Sequence, residues 1–145
     1  MSIPYPASVM HAFDVDQQLL DNCVYLFETR GISYLLHKNA QVIWIVLVPH
    51  TDAVEFYQLP PEQLQWLCTE INRISANLER AFACDQLNVT TGGDEVEQMH
   101  VHIVCRRSND GSLPEDTWDK PIEVAHSETG IRRIAKIIAQ KDCEH

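Results

Sequence analysis

Gln98-Met99-His100-Val101-His102-Ile103-Val104-Cys105-Arg106 is the stretch on which the reading of this chain turns. Alternate side chains of a strand share a face, so Gln98, His100, His102, Val104 and Arg106 point one way and Met99, Val101, Ile103 and Cys105 the other. The second set is a core set and the first is polar. On such a strand His100 and His102 stand about 6.6 Å apart, close enough for both to meet one phosphate group. Upstream, Leu87 to Thr91 reads as a strand joined to this one by residues 92–97, and residues 42–49, VIWIVLVP, form a continuous apolar run stopped by Pro49, as in a central strand buried on both faces. Two further β-like runs, CVYLFET and ISYLLHK, flank Arg30-Gly31, either as one bent strand or as a hairpin.

Between these strands lies a helical pattern. Leu59-Pro60-Pro61-Glu62 places proline where a first helical turn needs no donor and a carboxylate at the positive end of the dipole. Leu64, Leu67, Ile71, Ile74, Leu78, Ala81 and Phe82 then recur at helical spacing, so a long amphipathic helix is expected over one face of a sheet. A shorter helical turn is expected within Asp14 to Asn22, and a second helical pattern runs from Glu128 to Gln140 beyond a loop at 108–116. Strands gathered around one long helix point to an α+β fold with an antiparallel meander rather than to a doubly wound parallel sheet.

The chain's 145 residues suit one domain, and 45% hydrophobic with 22% charged residues is a globular composition. Eleven basic against twenty-one acidic residues give a net charge of −10, which disfavours sequence-independent binding to a nucleic acid polymer but not one small phosphorylated ligand held by local donors. The start lacks the features of a secretory signal, and no apolar run reaches the ~20 residues of a membrane helix, so a soluble, cytoplasmic protein with no membrane partner is the default expectation. Cys23, Cys68, Cys84, Cys105 and Cys143 are odd in number and scattered. They suggest reduced thiols rather than a disulfide framework, with Cys68 and Cys105 as small core residues.

Three functions fit the histidine strand. Solvent-facing histidines are one. A metal site is another, but two ligands are too few, and His37, His50 and His126 join them only if the fold brings them there, so no metal and no cofactor are expected. The third follows from a resemblance. Gln98 to Val104 resembles the active-site strand of the histidine triad (HIT) superfamily, His-φ-His-φ-His-φ-φ with φ apolar, with Gln98 at the first histidine position. Gln there, followed by Arg106, Asp110, Pro114 and Trp118, is similar to a bacterial branch of HIT-domain proteins. The resemblance extends over the 42–49 strand, the helix begun by Leu-Pro-Pro-Glu and the Leu-Asn-Val strand, roughly residues 23–120. A HIT-like domain is therefore expected at 23–120, with an N-terminal arm at 1–22 and a C-terminal helical extension at 121–145.

The resemblance implies a hydrolase or nucleotidyl transferase acting on a nucleotide or nucleotide conjugate. His100 would be the nucleophile that attacks the α-phosphate and becomes nucleotidylated, a role suited to a neutral imidazole near pH 7 and held in one tautomer by a backbone carbonyl. His102 would bind a phosphate oxygen. Gln98 would hydrogen-bond the phosphate or leaving group, keeping a donor while removing a titratable proton. Asn39 would meet the ribose hydroxyls, Thr91 would approach the phosphate, Arg106 would add a cationic donor, and the protein would be a homodimer. Asp94, Glu95 and Glu97 oppose anion binding unless they form an exposed charged turn. The other reading within the same fold is a nucleotide-binding or interaction module without turnover.

Overall fold

The computed structural model describes residues 13–92, 96–107 and 124–141. The 42–49 run forms β3 (Ile43–Pro49), the middle strand of the sheet, and every residue of it is buried. β1 (Cys23–Thr29) and β2 (Ile32–His37) form a hairpin rather than one bent strand: Arg30 and Gly31 both take positive φ, 44° and 84°, the two-residue turn whose twist suits paired strands. A bulge between Tyr25 and Phe27 shifts the β1 register. β4 (Gln86–Thr91) and β5 (Val101–Arg106) complete an antiparallel sheet in the order β1-β2-β3-β5-β4, so the expected α+β meander is what forms.

The helices divide unequally between the two faces. α2 (Pro61–Phe82) lays Leu67, Ile74 and Leu78 on Tyr34, Leu36, Ile45, Leu47, Val101 and Ile103, with Leu64, Ile71 and Phe82 half-buried around them. α3 (Glu128–Ala139) docks on α2 through Ile134 and Ile138. The buried Asn77 amide donates to the Ile137 and Gln140 carbonyls, each at 3.0 Å, satisfying groups a helix end leaves unpaired. Beneath this layer the Tyr34 hydroxyl donates to Glu70 at 2.6 Å, and Arg73 forks onto both carboxylate oxygens of Glu70. The opposite face carries Leu35, Val42, Trp44, Val46, Val48 and Val104 and receives the N-terminal segment, where the short α1 (Gln17–Asn22) buries Leu19 beside Val15.

The cysteine expectations need correcting. Cys84 and Cys105 are joined by a disulfide, with the Cα atoms 5.3 Å apart; the in-register partner of Cys105 is Leu87, so the bond is made by the chain leading into β4 and not by a pair of the ladder. Cys68 is exposed: it follows the buried Leu67 by one residue, about 100° around the helix, and so leaves the core stripe. No described helix is long and apolar enough to cross a membrane. Asp94, Glu95, the 108–116 loop with Asp110 and Pro114, Trp118 and Cys143 lie outside the described residues.

Candidate active site

β5 sends its odd-numbered side chains into the α2 layer, which leaves His100, His102, Val104 and Arg106 on the other face. His100 and His102 are almost wholly buried, 2% and 3% exposed, and their rings meet edge to face with centroids 4.7 Å apart. His100 Nδ1 lies 2.7 Å from the Gln98 carbonyl oxygen. A carbonyl only accepts, so Nδ1 donates, and in the neutral ring that tautomer leaves the lone pair on Nε2.

His102 takes the opposite tautomer. The Trp44 Nε1–H, which can only donate, points at His102 Nδ1 from 3.0 Å, so the proton of the neutral ring resides on Nε2. Two neighbouring imidazoles thus present one nucleophilic nitrogen and one N–H donor. Trp44 was missed in the sequence, although a donor-only indole in an aliphatic strand calls for an acceptor, and its strand parity places it beside the position opposite His102.

Trp44 is held from behind by His37, whose ring stacks on it at 3.7 Å and 4°. His37 Nδ1 accepts from the Asn39 backbone N–H at 3.1 Å. Burial, reinforced by the nearby His126 and Lys38, pushes the His37 pKa down to about 4, so this ring is neutral at pH 7. Burial likewise lowers the pKa of His126, against a hydrogen bond with the His37 backbone, and that of His50, against the charge of Glu28.

The other expected site residues are placed unevenly. Thr91 ends β4 and borders, with His100 and Gln98, a cavity of about 250 Å³ that Glu55, Phe56 and Val96 also line. Glu97 also borders it and is exposed, so one of the three suspected carboxylates stands at its rim. Arg106 is buried at the far end of the histidine face, paired in register with Gln86. Asn39 is buried in the β2–β3 turn: its Oδ1 accepts from Gln41 N at 3.0 Å, and its backbone bridges to Ala125. The Gln98 amide is occupied at both ends, with Oε1 accepting from Asp16 N at 2.8 Å and Nε2 donating to the Asp14 carbonyl at 2.9 Å. A phosphate contact by this amide would compete with those bonds. His50 stands elsewhere, stacked on Phe13 and 2.8 Å from the Ser33 hydroxyl. Among the described residues no group of three or more His, Cys, Asp or Glu is arranged to hold a metal ion.

A five-stranded antiparallel sheet with paired histidines in complementary tautomers, on the face turned away from its long helix, defines a domain of the histidine triad type. The HIT domain profile matches residues 20–109, and the chain belongs to that family. It is similar to a solved histidine triad protein from Bradyrhizobium japonicum at 32% identity, covering 88% of this chain and 96% of that one with a TM-score of 0.79. A HIT protein from Sinorhizobium meliloti matches at 27% identity over 90% and 97% of the two chains, with a TM-score of 0.80. Among curated proteins, an uncharacterized HIT-like protein of Saccharolobus solfataricus is 24% identical over 112 residues, 65% of this chain and 81% of that protein.

Proposed function

We propose that the protein cleaves a nucleotide or nucleotide conjugate at the α-phosphate through a nucleotidyl-histidine on His100. One observation carries the reading: the 2.7 Å bond from His100 Nδ1 to the Gln98 carbonyl, which holds the neutral ring in the tautomer whose Nε2 carries the lone pair. The Nε2 lone pair forms the N–P bond as the bond from phosphorus to the leaving group breaks, and the leaving group departs with that electron pair. Water then attacks phosphorus, the P–N bond breaks, and the electron pair returns to Nε2 while the water proton is released. His102 donates from Nε2–H to a non-bridging phosphate oxygen, where negative charge gathers. Thr91 lies at the cavity where the phosphate would enter. We assign Arg106 to the phosphate side of the ligand and Asn39 to the ribose side, where ligand contact would engage polar atoms beyond those the turn uses.

Intact-mass measurement after incubation with adenosine 5′-phosphoramidate tests this reading. An adenylyl adduct on the wild type and none on His100→Ala is the expected result; no adduct and no turnover would refute it. The occupied Gln98 amide and the rim position of Glu97 favour a second reading, a nucleotide-binding module without chemistry, which calorimetry would reveal as AMP binding without adduct. A cytoplasmic homodimer completes the proposal; β4 is an edge strand with Val89 exposed, and sedimentation equilibrium tests the assembly.

A further inference from the structure

We propose that Gln98 is a positioning residue for His100, acting by tying Asp14–Asp16 to the approach of β5 rather than by touching the phosphate; the proposal rests on the His100 reading above. Gln98 lies outside the sheet. Pairing of β5 with β3 ends at Leu47–Val101 and with β4 at Thr91–Val101, so among the described residues no ladder pair includes the peptide whose carbonyl holds His100. The side chain supplies what the ladder does not. Its carboxamide pairs with one peptide segment at both ends, oxygen to Asp16 N–H at 2.8 Å and nitrogen to the Asp14 carbonyl at 2.9 Å, much as a neighbouring strand would.

The anchor is itself fixed. Val15 and Leu19 are buried against the histidine-side core, Phe13 stacks on His50, and the Asp16 carboxylate caps α1 by accepting from Gln18 N. A continuous line of contacts therefore runs from the core through Asp14 and Asp16 to the Gln98 amide, and from the Gln98 carbonyl to His100 Nδ1–H. Imidazole cannot stand in for the carboxamide. Its two nitrogens diverge across a ring, whereas the amide oxygen and nitrogen point side by side. In this chain glutamine at the first motif position is thus a link to the N-terminal segment.

A mutant cycle tests the link, with adenosine 5′-phosphoramidate turnover and the ¹⁵N signals of the His100 ring as readouts. Asp16 has φ −55°, compatible with proline, so Asp16→Pro removes the N–H donor, and comparison with Asp16→Ala subtracts the lost helix cap. Gln98→Ala is expected to lower kcat roughly ten- to hundredfold with little change in KM, since misorientation of a nucleophile costs that much. It should also replace the single Nδ1–H tautomer of His100 with a mixture. Adding Asp16→Pro to Gln98→Ala should cost nothing more, and Gln98→His should not recover wild-type kcat. A raised KM at unchanged kcat, with Gln98 and Asp16 effects that multiply, would place Gln98 on the phosphate and overturn the proposal. If Gln98→Ala does not fold, Asp16→Pro against Asp16→Ala reads the same link. Absence of turnover and adduct in the wild type would refute the nucleotidyl-histidine reading alone. The ¹⁵N comparison would still decide the link, because a His100 tautomer unchanged by Gln98→Ala overturns it.

Discussion

His37 should make this protein sensitive to mild acid, and His37→Phe should remove most of that sensitivity. In the folded chain the half-buried ring stacks on Trp44, receives the Asn39 N–H on Nδ1 and stays neutral down to about pH 4. In the unfolded chain it titrates near 6.5. The folded pKa is the lower of the two, so the unfolded state binds more protons between them. The associated stability is fully present above pH 6.5 and is lost as pH falls toward 4. Linkage over that interval gives a loss of about 2 kcal/mol between pH 7 and pH 5, out of about 3 kcal/mol in all. Phenylalanine keeps an aromatic face on Trp44 and forfeits the Nδ1 acceptor, for about 1 kcal/mol at neutral pH. Urea denaturation of both proteins at pH 7 and pH 5 measures the difference. His50 and His126 contribute with the same sign and remain in the variant, so the wild type should lose about 2 kcal/mol more than His37→Phe. Equal losses would mean that His37 charges freely in the fold and would refute the packing argument.

Trp44→Phe should cost roughly 2–4 kcal/mol, from the lost bond to His102 and a cavity the smaller ring does not fill, and should release the His102 tautomer; urea midpoints and ¹⁵N spectra read both. Glu70→Gln should destabilise the protein by about 2–3 kcal/mol at pH 7 and flatten its acid limb below about pH 4.5. Burial opposes ionisation of Glu70, but the bonds from Arg73 and Tyr34 outweigh it and lower its pKa, so its contribution is present above the unfolded value and lost as pH falls through the folded one. Reducing the Cys84–Cys105 bridge should lower stability by roughly 3 kcal/mol, and Cys84→Ser should lose the response of the thermal midpoint to reductant.

What the sequence reveals follows the range of the interactions. β3 is legible because seven apolar residues followed by Pro49 leave few other structures, and α2 because its N-terminal prolines and its spacing agree. The turn at Arg30-Gly31 is harder. Both the hairpin and the bent strand satisfy the local pattern, and only the backbone angles separate them. His100 and His102 declare themselves by parity, and the HIT resemblance adds their expected roles. Their tautomers do not declare themselves, since one depends on a carbonyl two residues away and the other on an indole fifty-eight residues away. The Cys84–Cys105 bond and the Asp14, Asp16 and Gln98 contacts are products of tertiary packing, which no spacing rule contains.

The tie between Asp14 and Gln98 also bears on the order in which the chain acquires structure. The β1–β2 hairpin and α2 are closed by local contacts, whereas Gln98 meets Asp16 and Asp14 across 82 and 84 residues. Contacts of such separation close late, because the intervening chain must already be compact before they repay their loop entropy. Helical signal should therefore return in refolding before the His100 tautomer is set, and a chain growing from the ribosome holds no finished site until β5 has emerged to meet a segment made some eighty residues earlier.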